Sequence, residues 1–206
     1  MTRSTAYVHP TALVDGAILG NGARIWAWVH VMPGAQVGAD TTVGDHTFID
    51  RGAMIGANVT IKLSCVIAER TVIEDGAFIG PGVIFTNDRS PRSPRSAVAA
   101  YRYVSEAWLE APVVRKAASI GAGSVVLPGV VVGEYAMVGA GAVLGRDVPP
   151  HGVVAGRNGA LIGYICMCGS KRGLLEDFGM PDEDPEPGAL ICDGCPATNA
   201  KTSSKF

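Results

Sequence analysis

From Leu13 to Phe85 every sixth residue is aliphatic or aromatic, and the series resumes from Val114 to Leu144. A strict period of six matches neither an amphipathic helix nor the simple alternation of a hairpin sheet. It is the signature of a parallel β-helix assembled from hexapeptides. Two residues before each large apolar position stands a small or β-branched one, such as Ala23, Val29, Ala35, Thr41, Thr47 and Cys65. Positions two apart share one face of a strand. One large and one small side chain therefore point inward on each strand and fill a narrow interior by complementary size. Three residues after the large position come Gly22, Gly34, Asp40, Gly52, Asn58, Gly76, Gly82, Gly123, Gly129, Gly141 and Asp147. These residue types tolerate the positive φ that a corner between strands requires. At three hexapeptides per triangular coil, nineteen repeat positions predict about six coils.

The repeat does not fill the chain. Residues 1–165 read as the β-helix domain and residues 166–206 as a small, polar, cysteine-containing tail with an acidic, proline-rich stretch. Val114 stands 29 positions after Phe85, one short of a multiple of six, so the register slips by one. Residues 86–113 thus read as a long loop that leaves the prism and returns, a feature often functional in otherwise short-turned domains. Pro149 and Pro150 end the last coil. Apolar residues make up 48% of the 206, but Gly and Pro break every apolar run short of a membrane span. The N-terminus carries no signal-peptide pattern, and a net charge of −2 argues against a nucleic-acid surface. A cytoplasmic protein without membrane or nucleic-acid partners is expected.

The segments HPTALV, RIWAWVHV and GPGVIFTND with PR shortly after, then VVRKAASIGAGSVVLPGVVVGEYAMVGAGAVLGRDVP and VVAGRNGALIG, resemble bacterial hexapeptide-repeat acyltransferases. The resemblance covers nearly all of residues 6–165. It is nearest to the N-acetyltransferases that act on the 3-amino group of nucleotide-linked sugars, whether UDP-linked uronic acids or dTDP-linked deoxysugars. It implies a left-handed coil and a homotrimer with active sites in clefts between prisms. It also implies acetyl-CoA along the C-terminal coils, the nucleotide-linked amino sugar nearer the N-terminal ones, and direct attack of the amine on the thioester.

Amide formation requires a neutral amine held against an acyl carbonyl, which makes histidine the first candidate for a base. His46 sits at a corner position and reads as structural; His9 lies in the irregular first turn, and His151 after the double proline reads as a solvated loop residue. His30 immediately precedes inward Val31 and points outward, flanked by Trp26 and Trp28. It is a candidate for sugar contact and for the base. Asn87, in FTN where the chain leaves the prism, matches the active-site Asn of the related transferases. Its amide can accept a bond from the substrate amine and aim the lone pair. With Trp26, Arg24 and Arg92 are the substrate-binding candidates, because a guanidinium makes paired bonds to phosphate or carboxylate oxygens. By the resemblance, Ser119, Gly121, Ala140 and Arg157 fall in the acetyl-CoA zone. Two departures stand out. Ala27 occupies the position where related enzymes carry a second His, and Gly156-Arg157-Asn158-Gly159-Ala160 replaces their G-x-P-A-[RK] exit. A β-helix carbonic anhydrase is disfavoured because these histidines offer no three-His zinc set. A non-catalytic β-helix subunit, or an acyltransferase with another acceptor, remains as the alternative.

The tail reads Cys166-x-Cys168-Gly and then Cys192-x₂-Cys195-Pro. The two pairs resemble a degenerate zinc ribbon, in which four thiolates close a tetrahedral structural site; reduced thiols are the alternative. Cys65 occupies an inward small-residue slot and is expected to be inert core.

Overall fold

A computed structural model describes residues 5–170, 172–174, 190 and 192 of the chain. Twenty two-residue strands from Tyr7–Val8 to Val143–Leu144 wind into a three-faced parallel β-helix, the hexapeptide fold of left-handed coils. Successive strands visit the first, second and third face in turn, and each pairs with the strand one coil on. The first face runs from Tyr7–Val8 through Arg24–Ile25 and Thr42–Val43 to Met137–Val138 and then Gly152–Ala155. The second carries Leu13–Val14, His30–Val31, Phe48–Ile49, Val66–Ile67, Ile84–Phe85, Val125–Val126 and Val143–Leu144. The third runs from Ile18–Leu19 to Val131–Val132.

The interior is built as the period demands. Ile25, Ile49, Ile61, Ile67, Ile73, Ile79, Phe85 and Ile120 are sealed from solvent, and the small partners Ala23, Ala35, Thr41, Cys65 and Ser124 lie beside them at 0% exposure. Inward hydroxyls are tied down. Thr41 Oγ1 donates to the Gly56 carbonyl at 2.7 Å and accepts Val59 N–H at 3.0 Å. The Cys65 thiol contacts the Lys62 and Gly80 carbonyls at 3.2 Å, and burial pushes its pKa up, so it is inert core.

The first coil departs from the reading by period. Leu13 pairs with His30 and Val14 with Val31, so Leu13 faces solvent at 57% exposure while Val14 packs on the core. That coil has 17 residues where the later ones have 18, as the pairings Val8–Ile25 and Ile25–Val43 record. Leu13 and Val14 are both apolar, and a six-residue count alone cannot tell which points inward. Corners also admit bulkier residues than expected. Trp28, His46, Arg70 and Tyr135 hold φ near +60° beside the glycines, Asp40 and Asn58, whereas Asp147 does not and instead accepts Val131 N–H at 2.8 Å. Stacking offsets the strain: the Trp28 ring lies on His46 one coil on, 6.4 Å between centroids and 8° apart.

Residues 86–112 replace one corner between the second and third faces without disturbing face order, because Val72–Ile73 still pairs with Val113–Val114. The neck closes through an Asp88–Leu109 bridge and by Glu110 N–H donating to the Asn87 carbonyl at 2.8 Å. At the far end Gly152–Ala155 and Ala160–Ile165 form an antiparallel hairpin whose turn lies over the end of the core. Gly159, at φ +55°, is favoured there, since a Cβ would come within 2.8 Å of Leu144 Cδ2 and push that side chain aside.

Candidate active site

Asn87 follows the second-face strand Ile84–Phe85, and the chain pins it on both sides. Thr86 bonds Val126 through its N–H at 3.0 Å and its Oγ1 at 3.1 Å, and the Asn87 carbonyl takes Glu110 N–H. The Asn87 carboxamide has no hydrogen-bond partner among the described residues. The backbone is therefore fixed while the amide is left available at the root of the loop.

Ion pairs shape the loop beyond it. Arg70 grips Glu106 with two bonds of 2.6 and 2.5 Å, and Arg89 grips Glu110 at 2.8 Å while also reaching the Pro128 carbonyl. Asp88, which the sequence reading passed over, organises the base. It accepts Ser90 N–H at 2.9 Å, Tyr103 O–H at 2.8 Å and Arg102 at 3.1 Å. Burial works to raise its pKa, but the bonds from Ser90, Tyr103 and Arg102 outweigh that and hold the carboxyl below its usual value. Arg92 stands on this scaffold, its N–H donating to Tyr103 Oη at 2.9 Å and its exposed guanidinium bonding, among the described residues, only the Pro91 carbonyl.

The other candidates lie elsewhere on the prism. His30 projects from the second face, edge-on to Phe48 at 5.5 Å. Phe48, Val66 and Ile84 follow it in register, so three coils separate His30 from the start of the Asn87 segment, about 14 Å at the interstrand spacing. Within one chain His30 and Asn87 are not brought to the same reacting atom. Arg24 projects from the first face with no ion-pair partner among the described residues. Trp26 sits at the adjoining corner against Tyr7, 5.7 Å between centroids, beside Asp45 and Lys62. Ala27 N–H donates to Asp45 Oδ1 at 2.9 Å. Trp26 and Trp28 thus belong to a corner; the flat apolar row of the second face is Phe48, Val66, Ile84, Val125 and Val143.

Ser119 projects from the first face, and Gly121 and Ala140 lie at the corner between the first and second faces. The Gly121 N–H already bonds the Val138 carbonyl at 2.8 Å, so it cannot hold a ligand. The exposed N–H groups of Ala122 and Ala140 have no partner among the described residues and can. Gly121 has a structural reason to be glycine, because a Cβ would fall 2.5 Å from Ala140 N and 2.7 Å from the Val138 oxygen. Gly121→Ala is expected to destabilise the prism by about 1–3 kcal/mol through overpacking, read from the urea midpoint; an unchanged midpoint would contradict this. Arg157 and Arg146 share a 290 Å³ cavity with Leu127, Val143, Gly145 and Asn158, on the far side of the second face from Ala140.

His151 is not a solvated loop residue. It is 0% exposed, stacked on Tyr135 at 5.2 Å, with Nδ1 bonded to the Ile165 carbonyl at 2.8 Å and Nε2 buried without a partner among the described residues. The hairpin strand Ala160–Ile165 covers it, a long-range packing that two preceding prolines do not announce. Burial lowers its pKa against the opposing pull of the Ile165 bond and Glu134. The unfolded chain then binds a proton near pH 6.5 that the folded chain refuses. Stability from this group is complete above that pH and is lost as pH falls through the window below it. His151→Asn, which tolerates the positive φ, is expected to flatten the fall of Tm between pH 7 and 5; an equally steep fall would refute the assignment.

His46 holds a corner at φ +59°, and His9 Nδ1 bonds Thr11 Oγ1 at 2.9 Å, both structural arrangements. Three of the four tail cysteines are described. Cys166, Cys168 and Cys192 converge with their sulfurs within 4.8 Å of one another, while Cys195 lies outside the described residues. Bonds from Ser170 and Cys166 bring the Cys168 thiol down to about 6, whereas burial and its two thiol neighbours bring Cys192 up to about 11.

A hexapeptide prism with a long, pinned loop and a free carboxamide at its root defines a transferase of the hexapeptide-repeat class. The model of that family, bacterial transferase hexapeptide (six repeats), matches residues 16–51 and 111–146. The chain is 42% identical over 173 residues to dTDP-3-amino-3,6-dideoxy-alpha-D-galactopyranose 3-N-acetyltransferase of Aneurinibacillus thermoaerophilus, covering 84% of this chain and 85% of that one. It belongs to the hexapeptide-repeat transferase family. It is 25% identical over 152 residues to the bifunctional protein GlmU of Acidithiobacillus ferrooxidans, covering 73% of this chain but only 29% of that protein. A Bacillus cereus chain crystallised as a candidate acetyltransferase shares the fold at a TM-score of 0.50 and 23% identity, over 84% of this chain and 87% of that one.

Proposed function

We propose that the protein transfers the acetyl group of acetyl-CoA to the 3-amino group of a nucleotide-linked amino sugar, with a dTDP-linked 3-amino-3,6-dideoxyhexose as acceptor. The observation that carries this reading is the unpartnered Asn87 carboxamide on a backbone fixed at both sides, in a chain 42% identical to a transferase of that name. Asn87 Oδ1 accepts one N–H of the neutral amine and points its lone pair at the thioester carbonyl. The C–N bond forms as the C–S bond breaks, and the departing thiolate, directly or through water, takes the proton that an amide cannot. No acyl-enzyme is required, and Cys65 is sealed too deeply to form one.

The cleft is built from two copies. On a single prism Asn87 and Arg157 lie toward one edge of the second face, while Trp26, Ala122 and Ala140 lie along the other. Two concavities of 370 and 450 Å³ sit on the third face around Glu74 and away from Asn87. The second face between the two edges is apolar, with Val66 39% and Ile84 40% exposed. On the loop Val98, Tyr101 and Val104 are each more than 70% exposed. Contiguous apolar surface of this kind marks an interface. A homotrimer, as the family resemblance implies, covers that face and sets the loop of one subunit against the Trp26–Ala140 edge of the next. Arg24, Trp26, His30 and Arg92 then meet the nucleotide sugar. Ser119 and the Ala140 and Ala122 amides meet the pantetheine, and Arg157 with Arg146 meets the phosphates. Both substrates are charged phosphate esters that a bilayer excludes, which supports a reaction in the cytoplasm where such coenzymes are held.

Thiol release from acetyl-CoA against UDP- and dTDP-linked 3-amino and 4-amino sugars tests the reading. Turnover is expected with a dTDP-linked 3-amino sugar. A response confined to 4-amino sugars, or none with acetyl-CoA bound, would overturn it.

A further inference from the structure

The cysteine motif is the feature that acetyl transfer leaves unused. The hairpin strand Ala160–Ile165 delivers Cys166 into a tight turn, closed by Gly169 N–H donating to the Cys166 carbonyl at 2.9 Å, before Arg172–Gly173 pairs back on the same strand. That knuckle places the Cys166 and Cys168 sulfurs 3.1 Å apart. A second piece of chain docks on it. Met167 N–H donates to the Leu190 carbonyl at 3.0 Å, Leu190 is fully buried, and the Cys192 sulfur comes within 3.7 Å of Cys168.

These sulfurs are too far apart for disulfides, whose bond is about 2.05 Å long. Thiolates at about 2.3 Å from a tetrahedral zinc ion sit about 3.8 Å from one another. The Cys168–Cys192 separation of 3.7 Å matches that value, the Cys166–Cys168 pair is closer at 3.1 Å, all three sulfurs lie within 4.8 Å of one another, and both Cys166 and Cys192 are shielded from solvent. Two chain segments that share no regular sheet have thus brought three soft ligands to one point, which is the arrangement a thiophilic cation stabilises.

We propose that Cys166, Cys168 and Cys192 hold a zinc ion in a structural site that fastens the segment bearing Leu190 and Cys192 onto the knuckle that follows Ala160–Ile165. The knuckle faces the last coils across a 240 Å³ cavity, with Ser119, Tyr135 and Met137 on the prism side and Cys166 and Cys168 on the other. His151 and Ile165 exchange two bonds at the base of this contact, Nδ1 to carbonyl at 2.8 Å and Ile165 N–H to the His151 carbonyl at 2.9 Å. The metal therefore holds one wall beside Ser119. That this wall borders the acetyl-CoA groove rests on the transferase reading; the metal site itself does not.

The test is metal analysis of the full chain, purified without chelator and after removal of any affinity tag. About one zinc per chain is expected, with content falling at least about tenfold in Cys168→Ser and in Cys192→Ser. Cys65→Ala should keep its metal, and far-UV circular dichroism of the prism should be unchanged in the serine variants. If those variants fail to fold, a mercurial titration of wild type replaces them, and zinc should leave in step with thiol modification. A metal-free protein, metal retained in both serine variants, or zinc released without thiol modification would each overturn the proposal. Loss of metal with raised acetyl-CoA KM supports the wall; unchanged KM removes the wall and leaves the metal site standing.

Discussion

Asn87→Ala is expected to lower kcat about 100-fold, the scale on which loss of orientation alone acts, while leaving fold and acetyl-CoA binding intact. The expectation follows from how the residue is held. Its backbone is fixed by Thr86, Val126 and Glu110, none of which uses the side chain, so truncation removes an amide and little else. Asn87→Asp separates orientation from charge. A carboxylate accepts the same bond but stabilises the ammonium form of the amine, which cannot attack. Its activity should be low at neutral pH and recover as pH rises, whereas the Ala variant should be low throughout. Initial rates across pH 6–10 distinguish the two. A wild-type rate for Asn87→Ala would remove the residue from the mechanism.

Val66→Arg is expected to dissociate the proposed trimer and abolish turnover without unfolding the chain. Val66 points out of the second face between Phe48 and Ile84, so the core behind it, Ile67 and Cys65, is untouched. On an isolated prism an exposed substitution of this kind changes stability by about 0.5 kcal/mol or less. Within a trimer it would bury an unpaired cation. Light scattering during size exclusion should show the mass fall to one third, with activity lost in parallel. A trimer that survives, or an active monomer, would contradict the two-copy cleft.

The prism was legible because its rule is local. A period of six, with small residues two positions before each large one, states the inward face of every coil from Ile25 onward and needs no knowledge of distant contacts. The rule failed where two apolar residues stood side by side, at Leu13 and Val14, and one missing residue in the first coil decided between them. Asn87 was legible from the segment it stands in. Its surroundings were not, since the Arg70–Glu106 and Arg102–Asp88 pairs join residues 36 and 14 apart with no repeating pattern. His151 was misjudged for the same reason: the strand that buries it lies beyond the repeat. The grouping of Gly121 with Ala140 came from resemblance, and only the hydrogen-bond ladder shows which of the corner amides is free.

The transfer itself is tested most directly with acetyl-CoA labelled with ¹³C at the carbonyl, incubated with a dTDP-linked 3-amino-3,6-dideoxyhexose and followed by NMR. The expected product carries the label as an amide whose carbonyl correlates with the proton on sugar carbon 3, formed in proportion to free thiol. Label appearing as a sugar ester or as free acetate, or remaining on the coenzyme, would contradict N-acetylation at that position.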